Sequence, residues 1–467
     1  MEAGEDSKAI EKELDYSIYE TTKSICPECK ELIDADIIIR GGKVFMRKSC
    51  QLHGLFEALI SSDADMYQNS FKYDKPGTTP KFYASKVEEG CPYDCGICPD
   101  HKQHTCLGII EVLDECNLHC PTCFADAAGS YTLELKEIKK MIDLFVKCEG
   151  NPEVLQISGG EPTLHPDLNS IVKYAQSKEI RYVEVNTNGI KLADEEYAKK
   201  LAEAKPYIYL QFDGFLPKTY EKIRGRDLSK IKLKAIENCK KFDMPVTLVP
   251  TIQKGINDHE IGAIVEFAIN ERIIKAINFQ PVAATGRSNG IDPLDRTTLP
   301  DIITGIEEQT NGLLKKSDFI PIPCPHPTCS MITYVHIEDG NVTPITRIVD
   351  VDDYLDYFKN RTLVDPDEIV RSALEGLWSA STVGGSDKTL KNYCQACGLS
   401  LPNLDEIKEN ILIIGSMAFM DKYTFDLKRA RKCCVHEILP NGKMIPFCVY
   451  NTLYRKRLTP DFGGCCE

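Results

Sequence analysis

The sequence has no excess of positive charge, no apolar run long enough to cross a bilayer and no apolar leader at its start. Its formal net charge of −14 argues against a nucleic-acid binder that works by neutralising phosphates. The longest apolar candidate, ILIIGSMAFM at residues 411–420, is about half of a membrane span. We therefore expect a cytoplasmic protein, with attachment to the inner face of the membrane as the alternative.

Cysteine, in contrast, is abundant, with 21 residues that group at short spacings. In a chain without a leader, such groups indicate metal ligands rather than disulfides. Cys26 and Cys29 precede a Gly-Gly hairpin signal, and Cys50 and His53 follow it. These four side chains predict a closed mononuclear site for zinc or iron, with a structural role. The alternative is that His53 is an ordinary surface histidine and another cysteine completes the site.

A regular alternation of strand-like and helix-like patterns fills the middle of the chain. Between the strand-like runs lie amphipathic stretches such as TLELKEIKKMIDLFVKC. Six such units predict a parallel α/β sheet with helices outside, and they are too few for a closed eight-fold barrel. The six predicted strands are 108–113, 153–157, 181–186, 207–212, 246–251 and 276–282.

The spacing C-x3-C-x2-C occurs twice, at Cys91, Cys95 and Cys98 and again at Cys116, Cys120 and Cys123. The second triplet follows the first predicted strand, so its loop emerges where parallel sheets place their active sites. Three thiolates on a four-iron cluster leave one iron open to a ligand. The first triplet has a fourth cysteine, Cys106, close behind, which predicts a closed auxiliary cluster. A plain electron-transfer or zinc-ribbon cluster is the alternative for the second triplet.

Three motifs at successive strand ends resemble those of the radical S-adenosylmethionine (SAM) superfamily: CNLHCPTCF, GGEP and NTNG. The resemblance implies a partial (β/α)6 barrel, a [4Fe–4S] cluster on Cys116, Cys120 and Cys123, and hydrogen abstraction by a 5′-deoxyadenosyl radical. It also implies SAM contacts on the adenine side, the amino-group side and the ribose side. The residues so implied are Phe124, Gly159, Gly160, Glu161, Asn186, Thr187, Asn188, Gln211 and Asp213, with Arg287 as a further candidate.

The flanking motifs narrow this resemblance to one branch of the superfamily. The segments PCPHPTCS and CCVHEILPNGKMIPFCVYN are similar to those of archaeal tetraether lipid synthases, whose branch has long been described as pterin methyltransferases. The resemblance implies that terminal methyl carbons of isoprenoid ether lipids are joined, with a low-potential electron donor such as ferredoxin. It also implies a third cluster on Cys324, Cys329, Cys434 and Cys448, for which Cys394, Cys397 and Cys433 compete.

Four domains follow from these predictions: a mononuclear-metal domain (1–75), an auxiliary-cluster segment (76–107), the barrel (108–290) and a C-terminal auxiliary-cluster and substrate domain (291–467). Residues 411–420 are interpreted as a lipid-tunnel lining or as a buried core helix. The basic segments KRARK and RKR are interpreted as phosphate or membrane contacts or as solvated surface charge. Two alternatives remain for the whole protein: a methylase of a reduced pterin and a multi-cluster electron carrier.

Overall fold

This computed structural model describes residues 15–455 without 128, 289, 324, 339 and 348–409. A four-stranded antiparallel sheet comes first along the chain. Its strands run in sequence order and are joined by short turns. Gly41 and Gly42 have φ of 56° and 72°, as a tight two-residue hairpin turn requires, so the predicted hairpin is confirmed. The elements are β1 (Ser17–Ile25), β2 (Leu32–Arg40), β3 (Lys43–Cys50), β4 (Gly54–Ser61) and the helix α1 (Ala64–Ser70).

Six parallel strands and a two-residue seventh strand, with helices outside, form the partial barrel, which confirms the predicted fold class. The predicted strands agree with the observed ones to within two residues at each end. The predicted strand 246–251 is observed as one strand over Val246–Val249 and a two-residue strand over Thr251–Ile252. The strands are β5 (Leu107–Glu111), β6 (Val154–Ser158), β7 (Tyr182–Thr187), β8 (Tyr207–Gln211), β9 (Val246–Val249), β10 (Thr251–Ile252) and β11 (Ile274–Pro281). The helices are α2 (Leu135–Glu149), α3 (Leu168–Gln176), α4 (Glu195–Ala202), α5 (Pro217–Arg224), α6 (Ser229–Lys241), α7 (Ile261–Asn270) and α8 (Leu299–Gln309).

The helices bury one apolar face each against the outside of this sheet. In α2, Ile138, Ile142 and Phe145 recur at helical spacing and are completely buried. A capping box between Glu134 and Glu137 begins this helix, since each side chain accepts from the other residue's backbone. The largest hydrophobic cluster of the described residues lies between these helices and the strands, so the inner side of the sheet is left for other contacts.

The C-terminal region extends the same sheet at both of its edges. The added strands are β12 (Ile320–Pro321), β13 (Ser330–Glu338), β14 (Asn341–Pro344), β15 (Ile411–Met417), β16 (Val435–Ile438) and β17 (Met444–Pro446). The strand order is β12-β13-β15-β11-β9-β8-β7-β6-β5-β16-β17, with β14 beside β13. These segments contain two hairpins, in which β13 pairs with β14 and β16 pairs with β17. The helices of this region are α9 (Leu427–Arg431) and α10 (Phe447–Val449), and α10 continues as a π-helix over Tyr450–Tyr454.

Two interpretations of the C-terminal region need correction. The segment that includes β15 is a strand, parallel to β11 and antiparallel to β13, and not a buried helix. Three cations of the two basic segments are held by protein groups, whereas Lys428 is exposed. Arg429 donates to Ala418 O at 2.8 Å, Lys432 pairs with Asp74, and Arg455 is bound by Glu111. Within the described ranges, no helix combines the length and the apolar character that a membrane crossing needs.

Candidate functional site

A cavity of about 300 Å³ lies inside the partial barrel, where the strands of the sheet present their inner side chains. The cysteine loop after β5, the GGEP loop after β6 and the NTNG loop after β7 all reach it. The structure thus brings together most of the residues that the motifs single out. They are Cys116, Cys120, Cys123, Phe124, Gly159, Gly160, Glu161, Asn186, Thr187, Asn188 and Gln211.

The two glycines of the GGEP loop allow it to pack directly against the start of the cysteine loop. Gly160 N donates to Leu113 O at 2.8 Å, and Glu161 N donates to Glu115 O at 2.8 Å. A Cβ on Gly160 would stand 2.2 Å from Glu115 O, and Gly159 has a φ of 138°. Any larger residue would push the loops apart. The glycines therefore position the cysteine loop in addition to lining the cavity.

The Glu161 carboxylate joins the GGEP and NTNG loops. One oxygen accepts from Thr163 N at 3.1 Å and from Thr187 Oγ1 at 2.7 Å, and the other accepts from Asn188 N at 2.8 Å. This side chain is almost completely buried. The contacts fix its orientation at the cavity wall, and a role in holding an amino group stays a prediction.

Asp213 differs from the other predicted SAM contacts, since it is not among the described residues that line the cavity. Its carboxylate accepts from Arg224 Nε and Nη2, both at 2.7 Å, and from Thr251 N at 3.0 Å. Arg224 does line the cavity. The structure therefore assigns Asp213 to holding a buried arginine, which the sequence motifs did not indicate.

Lys232 is a second functional side chain that sequence reasoning missed. It is completely buried on α6, and its Nζ donates to Asn188 O at 2.6 Å and to Gln211 Oε1 at 3.2 Å. Burial lowers the pKa of Lys232 to about 7. It fixes two neighbouring residues of the cavity wall from behind. Because α6 carries several lysines at similar spacing, no pattern in the sequence marks this one.

The three thiols of the cysteine loop suit an iron–sulfur cluster. They share one wall of the cavity, are not disulfide-bonded, and are soft sulfur ligands of the kind that iron–sulfur clusters use. Burial raises the pKa of Cys116 to about 11 and also raises that of Cys120, so a cation would be needed to hold them as thiolates. Arg287 clamps the loop from behind, with its Nε donating to Cys120 O at 3.0 Å.

An aromatic group joins the cysteine loop to the C-terminal region. Phe124 stacks on Phe447 with ring centroids 5.1 Å apart, and both rings contact Phe419. All three line the cavity. Only Phe124 was predicted, because the other two lie in segments whose path back to the barrel has no local signal.

The first cysteine triplet lies around a separate small recess. Cys91, Cys95 and Cys98 line it, together with Arg431. A hydrogen bond with Cys95 is the main cause that lowers the pKa of Cys91, and Arg431 lowers it further. Cys106, the predicted fourth ligand, is not among the described residues that line this recess. It lies in another buried cluster beside Cys434, and its backbone N donates to Cys434 O at 2.9 Å.

A third group of cysteines belongs to the C-terminal region. Arg429 Nε donates to Cys329 Sγ at 3.3 Å, and Met420 N donates to Cys448 Sγ at 3.3 Å. Burial raises the pKa of Cys448 to about 12, with a smaller contribution from nearby Cys329. The Cys433 thiol is affected by both of these thiols, so this competing candidate lies near the group. Which of Cys433 and Cys434 would hold a cluster stays a prediction. The remaining candidates, Cys324, Cys394 and Cys397, lie outside the described residues.

The N-terminal sheet brings its four predicted ligands together. The ligand atoms of Cys26, Cys29, Cys50 and His53 all lie within 4.8 Å of one another. His53 Nδ1 is 3.6 Å from Cys26 Sγ and 3.5 Å from Cys50 Sγ, and its hydrogen bond lowers the pKa of Cys50 to about 6. Three sulfurs and one nitrogen suit a tetrahedral zinc or iron ion with no open position.

Comparisons with known proteins match this arrangement. Residues 110–268 match the family described as the radical SAM superfamily, and residues 18–62 match the HMPTM N-terminal zinc ribbon domain. A Methanocaldococcus jannaschii protein named 7,8-dihydro-6-hydroxymethylpterin dimethyltransferase is 39% identical over 95% of this chain and 95% of its own. Fe-coproporphyrin III synthase of Methanosarcina barkeri is 36% identical over 37% of this chain and 43% of its own. A Streptococcus suis SuiB crystal structure is 17% identical over 45% of this chain and 46% of its own, with a TM-score of 0.39, which supports no conclusion.

Proposed function

The chain belongs to the radical SAM superfamily, and we propose that it joins the terminal methyl carbons of isoprenoid ether lipid chains, giving tetraether or macrocyclic diether lipids. Such an enzyme has to hold two unactivated hydrocarbon ends beside the cluster loop. A low-potential electron donor such as ferredoxin and a membrane surface that supplies the lipid belong to the same proposal. The alternative of an electron carrier gives no reason for a SAM-type cavity and is not retained.

The observation that carries the proposal is the apolar wall that β13 and β15 add to the cavity. Met331, Ile332, Ile413 and Met417 line it from these strands, and Phe419 follows. Hydrocarbon gains free energy on such a surface without needing a hydrogen-bond partner. The methionines are flexible enough to follow the shape of an alkyl chain. An added apolar wall on a barrel of this family therefore favours an apolar substrate.

The electrostatics of the inner wall are compatible with an apolar chain. Burial raises the pKa of Glu437 well above its usual range and that of Glu184 to about 7, so near neutral pH Glu437 is uncharged and Glu184 is about half protonated. The positive charge of Arg455 is matched by Glu111, which it contacts at 2.9 and 2.6 Å. An alkyl chain beside these groups would not strip water from an isolated charge.

The chemistry sets further demands on the chain. When bound, the cluster and SAM supply a 5′-deoxyadenosyl radical that removes a hydrogen atom from a C–H bond. Joining two methyl carbons removes one hydrogen from each, so one C–C bond consumes two SAM molecules and two electrons. The first carbon radical must persist until the second abstraction. Cys329 and Cys448 are adjacent in sequence to Ser330 and Phe447, which line the cavity, so a cluster on these thiols would be close to the substrate in the proposed reaction.

Methylation of a reduced pterin is a second candidate, and a polar part of the cavity favours it. Gln156 donates to Glu184 at 3.0 Å, and Tyr209 accepts from Asn278 at 2.7 Å and from Gln280 at 3.1 Å. These amides and carboxyls could match the ring nitrogens and oxygen of a pterin. The printed name of the Methanocaldococcus jannaschii relative points to the same substrate class.

An anaerobic assay tests the two candidates directly. Reduced protein and SAM are mixed with a phosphoglycerol diether lipid or with a dihydropterin, and 5′-deoxyadenosine and products are measured by mass spectrometry. Coupling is expected to raise 5′-deoxyadenosine only with lipid and to give a product lighter by two hydrogens per bond. A rise only with the pterin, with added methyl mass, would replace the proposal. Cys116→Ala serves as the blank.

Two variants sharpen this assay because one alters an apolar and the other a polar side chain of the cavity lining. Met417→Asn places a polar group on the apolar wall, and Gln280→Leu removes an amide from the polar wall. Lipid coupling predicts that Met417→Asn lowers substrate-dependent 5′-deoxyadenosine by about tenfold, since a buried polar group costs about 1–3 kcal/mol, and that Gln280→Leu has the smaller effect. The reverse order would favour the pterin.

A further inference from the structure

Glu437 is the least satisfied polar side chain of the cavity. It lies on β16, which the C-terminal region adds beside β5, and it pairs in register with Ile109. The side chain lines the cavity, yet the residue is only 1% exposed. Neither carboxyl oxygen has a hydrogen-bond partner among the residues that the structure describes. A buried carboxyl without a partner is costly and calls for a bound group.

The neighbours of Glu437 do not supply that partner. Arg455 is the nearby cation, but its Nη1 and Nη2 both donate to Glu111, at 2.9 and 2.6 Å, and its Nε donates to Asn451 at 2.7 Å. The charge of Arg455 acts on the Glu437 carboxyl, but no hydrogen bond joins the two side chains. On the other side of the hairpin, Glu437 pairs in register with Ile445, an apolar residue. The carboxyl is left facing the cavity.

We propose that Glu437 is a recognition residue that hydrogen-bonds a hydroxyl-bearing group of a ligand inside this cavity. A protonated carboxyl has one donor and one acceptor, and a hydroxyl has the complementary pair. Burial and the neighbouring Glu111 raise the pKa of Glu437 well above its usual range, in keeping with the protonated form. A ligand cation would instead require the ionised form.

Two sources of such a hydroxyl are compatible with the chemistry: the ribose of SAM and a hydroxyl of the substrate. If the ribose is the source, the inference is independent of the proposed coupling reaction. If the substrate is the source, the inference rests on the proposed function and names a polar contact of that substrate. The two sources are separated by measuring cofactor binding apart from turnover.

The test uses Glu437→Leu and its matched control Glu437→Gln in the cluster-loaded full chain. Glutamine keeps one donor and one acceptor at nearly the same volume, whereas leucine keeps only the volume. The first measurement is the Kd of S-adenosylhomocysteine by calorimetry, which needs no turnover. The second is the KM for diether lipid and for dihydropterin, from 5′-deoxyadenosine formation. Iron content and the unfolding midpoint show whether each variant folds and carries its clusters.

A loss of about 10- to 100-fold in S-adenosylhomocysteine affinity for Glu437→Leu, largely restored in Glu437→Gln, assigns the hydroxyl to SAM. An equal Kd with a similar rise in the KM of one substrate, again restored by glutamine, assigns it to that substrate. If neither constant moves in Glu437→Leu, the proposal is wrong. If Glu437→Gln loses as much as Glu437→Leu, the ionised form does the binding and the proposal is also wrong. If Glu437→Leu does not fold, Glu437→Met takes its place, since methionine keeps the side-chain length without a strong hydrogen-bonding group, and the same outcomes decide.

Discussion

The ring of Phe124 in the cysteine loop stacks on the ring of Phe447 from the C-terminal region, with centroids 5.1 Å apart and planes at 19°. This contact joins the cysteine loop, which carries the three cluster thiols, to the segment that follows β17. Phe419 touches both rings, at 5.4 and 4.9 Å. The C-terminal region is therefore part of the cavity wall, and its side chains should affect what binds there.

Phe447→Ala tests this coupling. Removal of the ring takes away an aromatic pair worth about 1 kcal/mol and leaves Phe124 without its stacking partner. We expect S-adenosylhomocysteine affinity, measured by calorimetry, to fall by about fivefold to tenfold. Phe215→Ala is a suitable control, because Phe215 belongs to a comparable aromatic group with Phe212 and Phe267 that does not line the cavity. Equal losses in both variants would contradict the coupling.

Gly160→Ala is expected to disturb the cysteine loop itself. A Cβ at this position would stand 2.2 Å from the backbone oxygen Glu115 O, and no side-chain rotation can relieve this contact. The expected result is a loss of iron and sulfide equal to that of Cys116→Ala, measured per chain after anaerobic reconstitution. Gly290→Ala is the matched control, because a Cβ there meets nothing within 4 Å. Full cluster content in Gly160→Ala would show that the two loops move independently.

Asp213→Asn separates a binding role from a structural one. The substitution leaves Arg224 buried without its counter-ion, so we expect a loss of about 3–5 kcal/mol in the free energy of unfolding. The affinity of the folded protein for S-adenosylhomocysteine should change by less than about threefold, since no contact is lost in the cavity. The double variant Asp213→Asn with Arg224→Met should recover much of the stability. A normal free energy of unfolding together with weak ligand binding would instead support the SAM contact that the resemblance implied.

The central strands and the site loops were predictable because their signals are local. Each strand such as β6 is a short apolar run, and the motif GGEP follows it directly. In a parallel sheet, the ends of neighbouring strands meet at one edge, so three motifs at three strand ends must converge. The Gly41-Gly42 hairpin and the ligand set with His53 followed from the same kind of local pattern.

The rest of the site depends on long-range contacts that no local pattern encodes. The run that became β15 is short and apolar, and such a run reads equally as a strand or as a buried helix. Its strand character follows from β11 and β13 on either side. Spacing could not choose between Cys433 and Cys434 as cluster ligands, because adjacent residues differ in the direction of their side chains and that direction depends on the surrounding fold. The position of Glu437 in the cavity wall likewise depends on the pairing of β16 with β5, which no local pattern encodes.

Glu184→Gln is expected to change how stability depends on pH. The pKa of Glu184 is raised by burial from 4.5 to about 7, so between these values the folded state holds a proton that the unfolded state has lost. Stability from this group is therefore present below pH 4.5 and falls as the pH rises towards 7 and above. The variant should lose this dependence and gain up to about 3 kcal/mol relative to the wild type between pH 5 and 8.

Urea unfolding of the wild type and of Glu184→Gln at pH 5 and at pH 8 measures this difference in the free energy of unfolding. Glutamine can still accept the hydrogen bond from Gln156, so the comparison isolates the ionisation. Glu203→Gln, at an exposed position of the surface, is the control and should show a near-constant difference. A constant difference for Glu184→Gln as well would mean that Glu184 is ionised in the folded protein.

His53→Ala decides whether the N-terminal site uses its histidine. Loss of one of four ligands should release the metal to a chelator that the wild type resists, and the unfolding midpoint of the ribbon should fall because metal binding stabilises only the folded state. Metal content per chain by mass spectrometry measures this and distinguishes zinc from iron. His53→Cys keeps four ligands and should hold the metal. If His53→Ala retains one full equivalent under the same challenge, another cysteine completes the site and His53 is a surface residue beside it.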